Sequence, residues 1–151
     1  MHDWTEENHL ARALARSAAM RPDAPLIHSS GKTQCAGDFW RDSARVAAAL
    51  IAAGVHPGDR VAVQVEKSLA ALHLVMGTVL AGGVILPLNT AYTASEIAYF
   101  LGDAEPAVFA CDPKRASELE PVAAEMRVGR TLTLGGDGQG SLAATVRGVA
   151  P

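Results

Sequence analysis

The chain has 151 residues, 49% of them hydrophobic, which is enough for one domain with its own core. Its 13 basic and 16 acidic residues are mixed along the chain, for a formal net charge of −3, and aromatics make up only 5%. With no block of like charge and little to stack on bases, this balance argues against nucleic acid or an anionic membrane as a partner.

Residues 1–20, MHDWTEENHLARALARSAAM, place acids and histidines where a signal peptide needs basic residues and then an apolar run. They read as an amphipathic helix over about residues 8–19. A stiff loop, Arg21-Pro22-Asp23-Ala24-Pro25, follows. Leu26-Ile27-His28 and Lys32-Thr33-Gln34 then flank Ser29-Ser30-Gly31, the pattern of a small hairpin. The next helix is expected from Asp38 to Ala53, with Phe39, Val46 and Leu50 on one side and Gly54 at its C-terminal stop.

Val55-His56-Pro57-Gly58-Asp59 is a turn by composition, and Arg60 to Val65 is a β-branched strand. Ser68 can cap a helix over Leu69–Leu80 that is apolar nearly all round, so it needs cover on more than one side. Leu69 to Leu88 is nearly long enough to span a bilayer, but His73, Gly82-Gly83 and Pro87 break it. It reads instead as a buried helix and a buried strand, Val84-Ile85-Leu86. Thr93 and Glu96 have the spacing of a capping box, with Tyr92 and Ile97 as a hydrophobic staple, and Gly102 is expected to end that helix. Ala107–Cys111 is a strand, Pro113–Arg127 mostly helix, and Thr131–Leu134 a short strand. Beyond it, Gly135-Gly136-Asp137-Gly138-Gln139-Gly140 reads as a flexible surface loop, and one weak helix is expected at Ser141–Arg147. Strand and helix alternate from Arg60 onward, which predicts an α/β fold with a largely parallel sheet flanked by helices, preceded by the small β-hairpin.

Groups that could carry chemistry are few. The glycine loop is followed by Ser141-Leu142, without the lysine of a phosphate-binding loop, and it lacks the dinucleotide fingerprint. His2, His9, His28, His56 and His73 never pair at helix spacing, so no metal ligand set is written. His73 lies in an apolar helix, where a histidine bonded to a backbone carbonyl is the ordinary case. Serines 29, 30, 43, 68, 95, 117 and 141 include no G-x-S-x-G elbow. Glu66-Lys67 and Asn89-Thr90 follow strands, and strand C-termini of α/β sheets face ligand crevices. A solvated turn is the plainer reading of both pairs. Cys35 and Cys111 have no CxxC or CxxH neighbour, so neither a disulfide framework nor a zinc site is expected, and a cytoplasmic setting fits. No catalytic, cofactor-binding or metal residue is assigned.

Several segments together resemble the N-terminal part of the adenylate-forming (AMP-binding) acyl-CoA synthetase family. These are Ser43–Leu50, Gly54–Ala62 (GVHPGDRVA) and Leu80–Asn89 (LAGGVILPLN). The runs Val65–Ser68 (VEKS), Asn89–Thr93 (NTAYT) and Gly102–Pro106 (GDAEP) are similar to its malonyl-CoA synthetase branch. The likeness covers roughly residues 8–134. It implies that residues 1–134 form an N-terminal α/β subdomain of the family's large domain, and 135–151 a glycine-rich loop and weakly structured tail. It also implies, for a complete enzyme, ATP, magnesium (Mg2+), CoA and a small carboxylic acid.

The family's Ser/Thr/Gly-rich phosphate loop ending in Pro-Lys-Gly is absent from these 151 residues. So are the aromatic adenine-binding segment, the ribose-binding aspartate and the catalytic lysine that the resemblance implies. The expectation is therefore a portion of a malonyl-CoA-synthetase-like ligase, inactive alone, with its reactive parts beyond residue 151. The alternative is a non-catalytic interaction module that self-associates through exposed apolar surface. One departure is local: Cys35-Ala36 stands where the family shows Thr and an aromatic, which should weaken the helix start by about 1 kcal/mol.

Overall fold

A computed structural model describes residues 8–29 and 31–149. His2, Ser30 and the last two residues of the expected tail lie outside the described residues. Helix α1 (His9–Met20) opens the chain, its first amides capped by the Asn8 side chain. Strands β1 (Pro25–Ser29) and β2 (Lys32–Cys35) pair antiparallel as the expected hairpin.

Helix α2 (Ala36–Ala52) begins two residues earlier than the sequence suggests. Cys35 makes no side-chain cap bond, in keeping with the weak start expected there. Two free amides of the first turn are instead satisfied from the preceding loop, Ala36 N–H by Ala24 O and Gly37 N–H by Pro22 O, both at 2.9 Å. The helix ends on Gly54 at φ 99°, with Gly54 N–H bonded to Ile51 O and Val55 N–H to Leu50 O.

The main sheet contains β3 (Arg60–Gln64), β4 (Val84–Pro87), β5 (Val108–Cys111) and β6 (Arg130–Thr133). All pairs are parallel and the order is β4-β3-β5-β6. The connecting helices are α3 (Leu69–Leu80), α4 (Ala94–Ala104) and α5 (Ala116–Glu125), and α6 (Ser141–Gly148) follows β6. Because parallel crossovers are right-handed, winding outward in both directions puts helices on both faces.

Alternation along the strands fills the two cores. Val61, Val63, Val108, Ala110 and Leu132 face α2, α3 and α6, meeting Leu50, Leu74 and Leu142. Ala62, Phe109 and Cys111 face α4 and α5, meeting Ile97, Leu101 and Leu119. The expected α/β class with its parallel sheet and leading hairpin is the one observed.

Two local expectations need correction. Helix α4 does not stop at Gly102; it runs to Ala104 and ends on Glu105, which takes the left-handed conformation at φ 45°. Gly102 serves close packing instead, since a Cβ there would lie 3.3 Å from Met126 Sδ. Helix α3 is covered less completely than its composition suggests: Leu74 is fully buried, while Leu72 and Val75 remain exposed. The glycine loop is bonded internally, Gly135 N–H to Gln139 O at 2.8 Å and Gln139 N–H to Asp137 Oδ1 at 3.0 Å. The capping box of Thr93 and Glu96 forms as written, and its hydrogen bonds hold the Glu96 carboxyl below its usual range.

Candidate functional site

Ligands of open parallel sheets bind beyond the carboxyl ends of the strands, where neighbouring connections leave in opposite directions. Here that point lies between β3 and β5. It is closed by side chains. Gln64, 2% exposed at the end of β3, donates through Nε2 to Asn89 O at 2.8 Å and to Tyr92 O at 3.3 Å. Arg115, just after β5, donates through Nη1 to Gln64 Oε1 at 3.0 Å and to Tyr92 O at 2.8 Å. Its Nε and Nη2 grip Glu118 at 2.9–3.1 Å and hold that carboxyl below its usual range. One clasp thus joins the ends of β3 and β5, the β4–α4 loop and the first turn of α5.

The open space lies to one side of the clasp. A cleft of ≈ 740 Å³ runs between β1, α3 and the ends of β3 and β4. It is within the size range of small-molecule sites. Its apolar wall includes Val63, Val65, Leu72, Val75 and Leu88, and its polar groups include His28, Glu66, Lys67, Ser68, Asn89 and Thr90. A neighbouring cleft of ≈ 560 Å³ shares Lys67 and Ser68 and reaches Lys32, Gly136 and Asp137. Ser68 caps α3 through a 3.1 Å bond from Ala71 N–H, and Asn89 Oδ1 accepts from Ala91 N–H at 2.9 Å. His28 bonds Thr33 across the hairpin at 2.8 Å.

The structure therefore brings Glu66-Lys67 and Asn89-Thr90 to one cleft at the sheet's carboxyl end. The other candidates lie elsewhere. His56 sits in the turn before β3, its N–H bonded to Asp59 Oδ2 at 2.8 Å. His73 points away from the larger cleft, and its partner is a side chain where a backbone carbonyl was expected. His73 Nε2 lies 3.0 Å from Gln34 Oε1, while Gln34 Nε2 donates to Asp42 Oδ2 at 2.9 Å. Burial lowers the His73 pKa, with Asp42 opposing the shift. Cys111 is fully buried, and burial pushes its thiol up to about 11. Sequence reasoning missed Gln64 and Arg115. The one available signal was the three-residue spacing of Arg115 and Glu118, and that names a surface ion pair and no inward reach.

Among the described residues, no three or more His, Cys, Asp or Glu side chains gather as a metal site. No helix among the described residues is long and apolar enough to cross a membrane.

The family profile described as "AMP-binding enzyme" matches residues 14–146. The chain belongs to the AMP-binding enzyme family. Within that family, the ATP-bound MatB of Rhodopseudomonas palustris superposes with a TM-score of 0.77 at 44% identity, covering 81% of this chain and 24% of that one. The AMB antimetabolite synthetase AmbB of Pseudomonas aeruginosa is 36% identical over 136 residues, 90% of this chain and 10% of its own length. A long-chain-fatty-acid–CoA ligase of Bacillus subtilis is 35% identical over 99 residues, 66% of this chain and 18% of its own. The chain thus spans only a tenth to a fifth of these two relatives.

Proposed function

We propose that this chain is the N-terminal portion of an adenylate-forming acyl-CoA synthetase of the malonyl-CoA synthetase kind, and that it supplies scaffold and no reacting group. The carrying observation is the combination of 44% identity with coverage of only 24% of the ATP-bound MatB chain. The complete reaction joins a carboxylate to AMP at the expense of ATP and passes the acyl group to the CoA thiol. A carboxylate is a poor electrophile, and adenylation gives it a good leaving group. Such catalysis rests on positioning and charge stabilisation.

In this reading the chain's residues position. The Gln64–Arg115 clasp fixes the β4–α4 loop against the centre of the sheet. The hairpin and α3 hold Lys67 and Ser68 at the shared mouth of two clefts. Every polar atom of the clasp is engaged by protein, so none is left to handle phosphate.

The test incubates the purified 151 residues with malonate, ATP, magnesium and CoA. Neither pyrophosphate release nor acyl-CoA formation is expected. Turnover by the chain alone would overturn the reading.

A further inference from the structure

A cavity of ≈ 250 Å³ opens between α2, α3, α6 and the glycine loop, and it shares no lining residue with the two strand-end clefts. Its floor is apolar, made by Val46, Ala70, Leu134, Leu142 and Val146. Its charged and titratable lining is Asp42, Arg45, His73 and Arg147. Arg45 is held loosely, with Nη1 3.8 Å from Asp42 Oδ1, and Arg147 makes no ion pair among the described residues. Hydrogen bonding also fixes the state of the His73 ring. A carboxylate only accepts, so the Gln34 atom 2.9 Å from Asp42 is the amide nitrogen, and Gln34 Oε1 is turned to His73. That oxygen only accepts too, so His73 Nε2, 3.0 Å away, carries the proton. In the neutral ring Nδ1 is then a bare acceptor. Phe39 braces the imidazole from one side, with ring centroids 5.3 Å apart.

We propose that this cavity binds a small organic anion, a carboxylate on an apolar body the size of one ring or a short acyl chain. The volume sets the size: an apolar cavity of about 150 Å³ takes benzene, and drug-sized ligands need about 300 Å³ or more. The floor receives the apolar body. Arg45 and Arg147 receive the carboxylate, whose two oxygens match a guanidinium fork. A cation is served poorly, because Asp42 is already engaged by Gln34 and Arg45. Bare phosphate would leave the floor unfilled. The lone pair of His73 Nδ1 repels a carboxylate until the ring takes a second proton, so binding draws a proton onto His73. The charged groups around that ring are Asp42 and Arg45 of α2 and Arg147 of α6; β2 contributes the uncharged Gln34, and the glycine loop Gly138. Asp42 favours the proton and the two arginines oppose it. An anion held by the arginines offsets their opposition. The proposal does not depend on the adenylation reading.

The test titrates cyclohexanecarboxylate into the full isotope-labelled chain and follows backbone amides by NMR. Saturable shifts are expected at Ala70, Gly138, Leu142 and Ala143, which line the cavity. Arg45→Gln and Arg147→Gln should each weaken binding by about fivefold or more. Arg41→Gln, whose partner Asp38 lies outside the cavity, should leave it unchanged. Lowering the pH from about 7.5 to about 5.5, where the probe stays ionised, should tighten binding by about fivefold. His73→Gln should remove that pH dependence, and the dispersion of each variant's amide spectrum reports its fold. Shifts that fail to saturate, or that centre on Leu72 and Thr90 of the larger cleft, overturn the proposal. So does equal binding of cyclohexanemethanol, which lacks the charge, or of inorganic phosphate, which lacks the apolar body. Wild-type affinity in both arginine variants, or an affinity indifferent to pH in the unsubstituted chain, also counts against it. An undispersed amide spectrum of the unsubstituted chain denies the cavity itself and overturns the proposal as well.

Discussion

Gly77 of α3 packs directly against Val46 and Ala47 of α2, and replacing it with alanine sets two effects against each other. Alanine in a helix interior is favoured over glycine by about 1 kcal/mol. A Cβ at position 77, however, would lie 2.7 Å from Val46 Cγ1, 2.8 Å from Val46 Cβ and 3.1 Å from the backbone nitrogen of Ala47. Carbon pairs sit comfortably at about 3.5–4.0 Å, so the intrusion approaches an ångström. Val46 cannot swing aside, because a β-branched residue in a helix is held near one rotamer. The backbone contact cannot yield without moving α2, which carries the fully buried Leu50 into the core. Overpacking of this kind costs about 1–3 kcal/mol, so the steric effect should win by about 1 kcal/mol and lower the melting temperature by roughly 2–4 °C. Gly148→Ala supplies the control, since nothing lies within 4 Å of a Cβ there and only the propensity gain remains. Thermal and urea unfolding, followed by circular dichroism, measure both. If Gly77→Ala proves as stabilising as Gly148→Ala, the two helices part at little cost and the argument fails.

Gln64→Leu removes three hydrogen bonds from the clasp while nearly keeping volume, and should destabilise by about 2 kcal/mol. Amide exchange should speed up at Ala91–Thr93; unchanged protection there would mean the clasp does not hold the loop. A thiol reagent at pH 8 should modify the half-buried Cys35 in the native state and reach Cys111 only on unfolding, given a Cys111 thiol pushed up to about 11. The His73 pKa is lower in the folded protein than its ordinary value near 6.5, so the unfolded chain binds the proton more readily. The stability His73 contributes is full above pH 6.5 and declines as pH falls below it. His73→Gln should flatten that segment of a pH–stability curve, and an unaltered slope would contradict the assignment. Thr93→Ala should cost about 1 kcal/mol in urea unfolding through loss of the cap on α4.

What the sequence could disclose was set by the range of the interaction. The capping box, the glycine ending α2 and the β-branched strand that follows Asp59 are decided by neighbours along the chain, and they appear where their residues say. Gly102 misled because a glycine at a helix end and a glycine under a crossing helix look alike in sequence. Only the 3.3 Å approach to Met126 of the α5 end separates the two. The start of α2 eluded reading for a similar reason, since its caps are the carbonyls of Pro22 and Ala24, 15 and 12 residues back from the amides they serve. At the candidate site, Glu66 and Asn89 were legible as strand-end residues. Arg115 was not, because its partner Gln64 lies 51 residues away.

Under the proposed scaffold role, the clasp is what leaves few groups at the switch point free to bind. At a sheet's carboxyl end a ligand site needs polar groups held in place yet free to bind. Gln64 and Arg115 occupy that position and spend their hydrogen bonds on each other and on the loop carbonyls. Among the described residues, the buried side-chain polar atom without a partner is Ser43 Oγ, on α2 and outside both clefts. Elements locked together in this way can present a rigid surface. Freeing the switch point is then the sharper challenge to the scaffold reading. If Arg115→Ala conferred binding of ATP or pyrophosphate on the chain alone, the clasp would be a plug over a latent site, and the assignment of these residues to support would be wrong.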